Sequence, residues 1–369
     1  MKKILFLIHD LGAGGAEKVL VNLVNNMNPE KFDITVMALF GGGVNEQFLK
    51  PHVKLINVFS KAFPGNSHVM KLLTPKQLHK WLIKDKYDIE VSYLEGPSAR
   101  IISGCPNEDT KLVSWIHIEQ HTAKRLAASF RNLEEAVKCY NRFDNTVCVS
   151  QFVKKDFSEI INFNKPCEVL YNTNETELIK ELAKEELDIE LTPDYKNLVS
   201  VGKLLESKGY MRLLSIIKRL NQANNSVRLY ILGVGPLKNK MEEYITKNHL
   251  EDNVVFLNYQ TNPYKYVSKC DLFVCSSFSE GFSTAATEAL IVGTPVCTVE
   301  VSGMKEMLGE NNEYGIVTEN SEDALYEGIK KLIENPELLE HYRKQAKERS
   351  KVFTTEETVN AVEEMLESL

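Results

Sequence analysis

Short apolar runs alternate with longer stretches of helical period along the whole chain. Because the runs are nearly continuous rather than alternating, they are typical of parallel strands that are covered on both faces. Such strands separated by amphipathic helices predict an α/β fold with parallel sheets. The predicted strands are 3–8, 32–39, 53–58, 88–93, 111–116 and 145–149 in the first half, and 197–201, 227–232, 254–257, 271–275, 295–298 and 315–317 in the second.

The strand pattern stops in the middle of the chain and then restarts. Residues 172–195 are polar and contain few strand signals, which favours a linker. A chain of 369 residues is long enough for two domains of ordinary size. The sequence therefore predicts an N-terminal domain over 1–171, a linker over 172–195 and a C-terminal domain over 196–352.

The composition is that of a globular protein, with 43% apolar and 26% charged residues. The seven cysteines have no paired spacing and mostly lie in apolar runs, so we expect buried, reduced thiols and a cytoplasmic protein. The first residues resemble a signal peptide, but their apolar run, Ile4 to Ile8, is short and suits a buried strand better. We expect no membrane-spanning helix, since no apolar stretch approaches ~20 residues.

Positive charge is concentrated in the first half. Through residue 170 the chain has 22 Lys and Arg against 18 Asp and Glu, whereas the remainder has 22 against 33. The densest basic patch, Lys61 to Lys86, has six lysines, one acid and interleaved apolar residues such as Phe63 and Trp81. A basic amphipathic helix of this kind can lie on an anionic membrane surface. The alternative is that its apolar residues pack inward and its lysines are merely solvated.

Two carboxylates, Glu280 and Glu288, stand in the segment SEGFSTAATEALIVGTPV, residues 279–296. Gly281 permits an unusual backbone angle, Ser283 or Thr284 can cap a helix, and the alanines that follow are strong helix formers. A helix therefore begins between the two acids, and its unpaired N–H groups form an anion site suited to a diphosphate. At ~1.5 Å rise per residue the carboxylates bracket roughly 10 Å, the span of a nucleotide sugar.

This segment resembles the E-x7-E signature of retaining GT-B glycosyltransferases, the family 4-like class that includes bacterial capsule, exopolysaccharide and lipopolysaccharide enzymes. The resemblance implies two Rossmann-like domains that face each other across a cleft. It also implies that the last helix, about 353–369, crosses back onto the N-terminal domain. The implied partners are a nucleotide-sugar donor and a glycan or polyprenyl-linked acceptor, with no nucleic acid.

The resemblance also implies roles for individual residues. Lys203 and Lys208 match the arginine and lysine that neutralise the donor diphosphate, although a lysine at 203 lacks the bidentate fork of arginine. Phe282 and Ser283 supply amides beside the sugar. The implied catalytic residues are Glu280, His117, Lys203 and Lys208, and the implied substrate-binding residues are Gly14, Gly15, Gly233, Tyr259, Gln260, Gly281, Phe282, Ser283, Thr284 and Glu288.

The glycine-rich turn HDLGAGGAEKVLVNL after the first strand raises a competing interpretation. A dinucleotide-binding fold favours a third glycine where Glu17 stands and an acid where Phe40 stands. Both departures weaken a role for NAD. The family resemblance instead assigns Gly14 and Gly15 to a loop near the donor phosphate and the acceptor, and a plain helix-entry turn remains the alternative.

No D-x-D pair after a strand, zinc-ligand spacing, P-loop or G-x-S-x-G motif is present. We therefore expect no cofactor and no metal in catalysis. The sequence predicts a retaining transferase that moves a hexose or N-acetylhexosamine, with UDP as the expected nucleotide, in cell-surface polysaccharide synthesis at the inner face of the plasma membrane. The alternatives are an epimerase or an inverting transferase on the same fold, or a non-catalytic glycan-binding protein.

Overall fold

The computed structural model describes residues 1–62, 70–161 and 165–369. They form two compact units. The first unit contains Met1–Asn174 together with Thr355–Leu369, and the second contains Glu175–Thr354. The C-terminal segment thus returns to the first unit, where Asn28 donates its backbone N–H to Glu363 at 2.6 Å and Lys2 Nζ donates to the Leu366 carbonyl at 2.9 Å.

The first unit has a seven-stranded parallel sheet in the order β3-β2-β1-β4-β5-β6-β7. Its strands are mostly apolar, as expected for a parallel sheet that helices cover on both faces. The strands are β1 Lys2–Ile8, β2 Phe32–Phe40, β3 Lys54–Phe59, β4 Ile89–Ser92, β5 Lys111–Ile116, β6 Asn145–Cys148 and β7 Cys167–Val169. The helices are Gly15–Asn26, Pro75–Leu82, Pro97–Ile102, Ala123–Leu126, Leu133–Tyr140, Gln151–Ile161 and Thr355–Ser368.

The second unit repeats the plan with a six-stranded parallel sheet in the order β10-β9-β8-β11-β12-β13. Its strands are β8 Lys196–Val201, β9 Val227–Leu232, β10 Val254–Asn258, β11 Leu272–Cys275, β12 Val296–Val299 and β13 Ile316–Thr318. The helices are Thr176–Leu182, Tyr210–Gln222, Lys238–Lys247, Tyr264–Val267, Thr284–Ile291, Met304–Leu308, Glu322–Ile333 and Pro336–Arg349.

The predicted strands are confirmed, each within one residue of its observed ends, and β7 is an addition. Its sequence, CEV, is three residues long and half-buried at the sheet edge, so it has no apolar run to reveal it. In each sheet the strand order reverses once, between β1 and β4 and between β8 and β11. Loops diverge at such a switch point and leave room for a ligand at the carboxyl edge of the sheet.

The polar stretch predicted as a linker, 172–195, divides at Asn174 and Glu175. From Glu175 onward it belongs to the second unit, because Ile179 and Ala183 pack with Tyr264 and Ile291 in a small apolar cluster. In the described part of the chain, no helix is both long enough and apolar enough to cross a membrane. The seven cysteines are free, as expected, and Cys167 alone among them is partly exposed.

Candidate functional site

The predicted donor residues of the second unit lie in loops at the carboxyl edge of its sheet. Lys203 follows β8, Gly233 follows β9, Tyr259 follows β10 and Glu280 follows β11. Strands β8 and β11 flank the switch point, so the loops that carry Lys203 and Glu280 leave the sheet where a ligand has room.

The loop after β8 is fastened to the loop after β11. Gly209 has a φ of +66°, and a Cβ at this position would lie 1.9 Å from the Ser276 carbonyl oxygen, so only glycine permits the approach. Ser276 Oγ donates to the Lys208 carbonyl at 2.9 Å, and Phe278 N–H donates to the Ser207 carbonyl at 2.7 Å. The backbone thereby fixes the position of Lys208 relative to the E-x7-E segment.

This junction brings together the two predicted residues Lys208 and Glu280. Lys208 Nζ lies 2.7 Å from Glu280 Oε1, which also accepts a hydrogen bond from Ser277 Oγ at 2.6 Å. The Glu280 side chain is 11% exposed, so it is not a solvated loop acid. Glu280 Oε2 accepts no hydrogen bond from the described residues. One carboxylate oxygen therefore anchors the ion pair, and the other has capacity to accept from ligand hydroxyls.

Arg212 holds the loop after β11 in place through hydrogen bonds, and the sequence analysis did not identify it. Its guanidinium donates to the carbonyl oxygens of Ser276 and Ser277, both at 2.8 Å, and to Asn320 Oδ1 at 2.7 Å. It also lies 4.1 Å from the centre of the Phe278 ring. Burial lowers the pKa of Arg212 from its usual value. Its place in the apolar stripe of an amphipathic helix, YMRLLSIIKRL, is the signal that marks it as a buried charge.

The helix Thr284–Ile291 begins between the two acids, as predicted. Ser283 is the cap, since its hydroxyl accepts from the Ala286 N–H at 3.4 Å, and the first turn contains no acid. Phe282 is buried against the Phe353 ring. The predicted unusual backbone angle at Gly281 is wrong, because Gly281 is not among the residues with positive φ. The left-handed residue is instead Gly303, where a Cβ would lie 2.9 Å from the Gly281 carbonyl oxygen.

Glu288 lies inside this helix and is only 8% exposed. Its Oε1 accepts a hydrogen bond from the Tyr264 hydroxyl at 3.2 Å. A buried carboxylate is costly unless hydrogen bonds or ligands satisfy it, so it is unlike an ordinary solvated helix residue. Tyr264 comes from the segment FLNYQTNPY, in which sequence reasoning picked out Tyr259 and Gln260 but gave Tyr264 no role.

The glycine directly after β9 is needed for close backbone packing within the second unit. A Cβ on Gly233 would lie 1.9 Å from the Gly202 carbonyl oxygen, so a side chain here would clash with the neighbouring loop. The Gly233 N–H donates to the Asn258 carbonyl at 2.7 Å, which ties β9 to the loop of Tyr259 and Gln260. Tyr259 is exposed, whereas Gln260 donates to the Leu257 carbonyl at 2.6 Å.

Lys203 has a different environment from Lys208. Its side chain is exposed and forms no ion pair with the described residues. It is therefore an available cation at the carboxyl edge of β8, while Lys208 is held in place by Glu280.

His117 belongs to the first unit and follows β5. Its ring lies 4.9 Å from the Tyr93 ring, and its Nε2 is buried without a hydrogen-bond partner in the described residues. Burial lowers the pKa of His117 to about 3, against a hydrogen bond with the Tyr93 backbone. The imidazole is therefore neutral near pH 7. Glu95, which accepts from the His117 N–H at 3.1 Å, has a pKa raised by burial.

Gly14 is the residue before the first helix, and Gly15 is the first residue of that helix. Asp10 Oδ1 accepts from the Gly12 N–H at 2.7 Å, and Asn45 Nδ2 donates to the Gly12 carbonyl at 2.5 Å. These side chains shape the loop, and the sequence analysis had named neither of them.

Two family models match adjoining parts of the chain. The Glycosyltransferase Family 4 model matches residues 13–178, and the Glycosyl transferases group 1 model matches residues 183–349. Together they include every strand except β1 and all the segments that carry the predicted site residues.

The relatives of the chain include bacterial glycosyltransferases. The N-acetylgalactosamine-N,N'-diacetylbacillosaminyl-diphospho-undecaprenol 4-alpha-N-acetylgalactosaminyltransferase of Campylobacter jejuni is 28% identical over 367 residues, which cover 96% of each chain. The lipopolysaccharide core biosynthesis glycosyltransferase LpsD of Rhizobium meliloti is 22% identical over 338 residues, covering 90% of this chain and 89% of LpsD.

Solved structures share the fold over the full length. Anabaena HepE in complex with UDP and glucose has a TM-score of 0.78 at 20% identity, with 100% of both chains covered. The sucrose-phosphate synthase of Thermosynechococcus elongatus has a TM-score of 0.79 at 16% identity, covering 100% of this chain and 99% of that one. From its two parallel sheets and these matches, the chain belongs to the family 4-like glycosyltransferases of the GT-B fold.

Proposed function

We propose that this glycosyltransferase moves a hexose or N-acetylhexosamine from a UDP-sugar to a glycan or polyprenyl-linked acceptor, with retention of the anomeric configuration and without a catalytic metal. The observation that carries the proposal is the ion pair of Lys208 and Glu280 directly before a helix N-terminus, with the buried Glu288 inside that helix. This order of cation, acid, amide-rich turn and second acid suits a sugar diphosphate.

Each group has a distinct task in this proposal. The diphosphate lies at the start of the helix Thr284–Ile291, where the helix dipole favours negative charge. Lys203 and Lys208 stabilise the charge that develops on the leaving phosphate. Glu280 accepts hydrogen bonds from sugar hydroxyls through Oε2, and Glu288 accepts from the ribose.

The chemistry requires positioning rather than a protein nucleophile. The bond from the anomeric carbon to the diphosphate oxygen breaks, and the acceptor hydroxyl attacks the same face. The departing phosphate oxygen takes the acceptor proton. His117, neutral and with an unpartnered Nε2, hydrogen-bonds the transferred sugar. Holding the partners in this arrangement supplies the larger part of the catalysis.

The relatives support the choice of donor and acceptor. HepE was solved with UDP and glucose, and the Campylobacter jejuni relative acts on an undecaprenol diphosphate that carries sugars. We infer the same nucleotide and a similar class of acceptor for this chain, and we propose that it acts in cell-surface polysaccharide synthesis at the inner face of the plasma membrane.

The test is a transfer assay with UDP-, GDP- and ADP-sugars and a polyprenyl-diphosphate-linked oligosaccharide acceptor. We expect turnover with a UDP-hexose or UDP-N-acetylhexosamine, and an α-linked product from an α-linked donor by NMR. A β-linked product would refute retention, and selective use of a GDP-sugar would refute the nucleotide assignment. Turnover should persist in chelator, since no metal takes part in the proposed chemistry.

Membrane contact through the patch Lys61 to Lys86 remains a proposal. Phe63 lies outside the described residues. Leu78 and Leu82 pack inward, but Trp81 is 45% exposed and Leu72 is exposed as well. Sedimentation with vesicles of anionic and neutral lipid tests the proposal. Salt-sensitive binding to the anionic vesicles alone is expected, and equal recovery with both kinds would refute it.

A further inference from the structure

A second group of ionisable side chains lies in the first unit and takes no part in the proposed transfer. It consists of His79, Glu90 and Cys105, which are 6%, 2% and 1% exposed. His79 Nε2 lies 2.7 Å from Glu90 Oε2, and Cys105 Sγ lies 3.7 Å from Glu90 Oε1. One donor atom from each residue lies within 4.8 Å of the others. A nitrogen, a carboxylate oxygen and a sulfur atom therefore lie close together in the buried interior of the first unit.

The three ligands come from three separate elements, and each element is held in place. His79 lies in the helix Pro75–Leu82, whose start is fixed by a capping box at Thr74. Glu90 lies near the start of β4. Gly104 packs so closely on that helix that a Cβ would lie 2.0 Å from the Pro75 carbonyl oxygen.

The turn that presents Cys105 is also tied to a more distant part of the unit. Arg142 donates to the Cys105 carbonyl at 2.9 Å. The Cys105 N–H donates in turn to the Ile102 carbonyl at 3.0 Å. A binding site needs such supporting contacts, because they hold the donor atoms in position before the ligand arrives.

We propose that His79, Glu90 and Cys105 form a binding site for a divalent transition metal, with Zn²⁺ as the expected ion. Zinc is commonly bound by imidazole, thiolate and carboxylate at about 2.0–2.3 Å in tetrahedral geometry, and the present separations allow this after small side-chain movements. The charge also balances, because one carboxylate and one thiolate neutralise Zn²⁺ in a site from which water is excluded. The Asn107 carbonyl, 3.8 Å from Cys105 Sγ, lies near the fourth position.

The competing interpretation is a buried ion pair with no metal. Burial opposes a charge on His79, but hydrogen bonds to Cys105 and Glu90 outweigh it and raise the pKa of His79 to about 9. An ion pair explains the contact between His79 and Glu90, yet it does not require a thiol on the second carboxylate oxygen. Metal ligation uses all three side chains.

A second cluster, Glu119, His121 and Asp156, also places ligand atoms close together. It is more exposed than the first, and Asp156 already accepts the backbone N–H groups of Gln120 and His121. The buried cluster is therefore the better metal site.

The proposed metal is structural and takes no part in sugar transfer. Glu90 is near the start of β4 and pairs with Leu112, whereas His117 follows the end of the adjacent β5. At ~3.3 Å per residue, five residues of strand separate the two levels by roughly 16 Å. Zinc at the cluster would join the helix Pro75–Leu82, β4 and the turn at Cys105.

The experiment compares the full-length wild type with Cys105→Ser and His79→Gln after treatment with chelator. Cobalt and zinc are then titrated separately. We expect one Co²⁺ per wild-type chain with a thiolate-to-cobalt charge-transfer band, displacement of Co²⁺ by Zn²⁺, and a rise in Tm of about 3 °C or more with zinc. Cys105→Ser should lose the band, and His79→Gln should bind at least tenfold more weakly.

Cys270→Ser is the matched control, since Cys270 is a buried thiol of the second unit. It should keep the charge-transfer band and the zinc-dependent rise in Tm. Circular dichroism identifies any variant that fails to fold. If Cys105→Ser does not fold, the result for His79→Gln decides the test. The proposal is overturned if the folded wild type takes up no cobalt, or if Cys105→Ser and His79→Gln both bind as the wild type does.

Discussion

The carboxyl edges of the two sheets have the same parallel architecture, but their ionisable side chains have different environments. In the second unit, Glu280 is paired with Lys208, and loop contacts hold the pair together. In the first unit, His117 is packed against Tyr93 and has a buried nitrogen without a partner in the described residues. In the second unit Lys208 and Glu280 neutralise each other, whereas in the first unit a neutral polar atom has no partner in the described residues.

In the proposed function, this difference would suit each edge to its ligand. A diphosphate is strongly charged, and the acid beside Lys208 would hold that lysine in place before the diphosphate binds. A sugar hydroxyl is neutral and needs only a neutral hydrogen-bonding partner, and His117 would be one in the proposed function because burial lowers its pKa. The following predictions test this contrast.

The largest effect is expected for Glu280→Gln. The change keeps the shape of the side chain but removes the negative charge that holds Lys208 and that, in the proposed function, accepts from the sugar hydroxyls. We expect kcat to fall by about 100- to 1000-fold, equivalent to ~3–4 kcal/mol, with a smaller change in KM. Steady-state kinetics measure it. Glu300→Gln, which removes an acid paired with Lys305 at 2.7 Å, is the control and should retain wild-type turnover. Near-normal turnover in Glu280→Gln would refute its role.

Arg212→Met should weaken the second unit itself. The variant leaves the carbonyls of Ser276 and Ser277 without their buried donor. We expect the free energy of unfolding to fall by about 2–4 kcal/mol in urea titrations. Arg219→Met, on the same helix but with exposed partners, should lose less than about 1 kcal/mol. Equal losses in both variants would show that Arg212 is not the support of this loop.

Glu288→Gln should weaken donor binding more than it slows turnover. The buried carboxylate is the proposed partner of the ribose, and an amide is a poorer acceptor than a carboxylate. We expect the Kd for UDP to rise about 10- to 50-fold, or ~1.4–2.3 kcal/mol, by calorimetry. Glu340→Gln, an exposed acid of the same unit, should bind UDP as the wild type does. An unchanged Kd in Glu288→Gln would contradict the ribose assignment.

The environment of His117 makes a prediction about pH. The pKa of His117 is lowered from 6.5 to about 3 in the folded chain. Between pH 6.5 and 3 this histidine is therefore protonated in the unfolded chain but neutral in the folded chain. The free energy of unfolding is therefore highest above pH 6.5 and decreases as the pH falls below that value. Between pH 7.5 and 5 this contributes about 1–2 kcal/mol of lost stability.

His117→Gln should remove that contribution, so its free energy of unfolding should fall less on acidification than that of the wild type. Urea titrations at the two pH values measure it. His341→Gln, at an exposed position, should follow the wild type. Parallel acid sensitivity in His117→Gln and the wild type would show that the histidine is not buried in its neutral form.

The smallest effect is expected for Lys203→Met. Its exposed cation contributes long-range attraction to the diphosphate, and salt screens that attraction. We expect KM for the donor to rise about three- to fivefold at low ionic strength, ~0.7–1 kcal/mol, and the difference to shrink at high salt. Lys240→Met, which removes an exposed lysine paired with Glu206, should leave KM unchanged. A larger, salt-independent loss would mean that Lys203 stabilises the leaving phosphate at short range, as strongly as Lys208 does in the proposed function.

Local signals predicted most of the fold and part of the site. Apolar runs located the strands because burial on both faces of a parallel sheet leaves a continuous pattern. The helix start at Ser283 follows from capping chemistry, which is also local. Tyr264 and Arg212 were missed because their partners lie 24 and 64 residues away, and no spacing rule reaches that far.

The sequence analysis also missed the cluster of His79, Glu90 and Cys105, for a related reason. Its members are 11 and 15 residues apart and come from a helix, a strand and a turn. Familiar zinc spacings arise when two ligands share one hairpin or one helical turn. Contacts in the folded unit, among them the packing of Gly104 on Pro75, bring these three together.

The return of Thr355–Leu369 to the first unit has a consequence for biosynthesis. Apolar residues of this last helix, among them Val362 and Leu366, are buried in the finished protein. The ribosome must therefore make the whole of Glu175–Thr354 before the first unit can complete its interior. At ~5–20 residues per second this delay lasts roughly 10–35 s. During that interval the apolar surface that the last helix will cover is exposed to solvent, which makes the nascent first unit prone to aggregation.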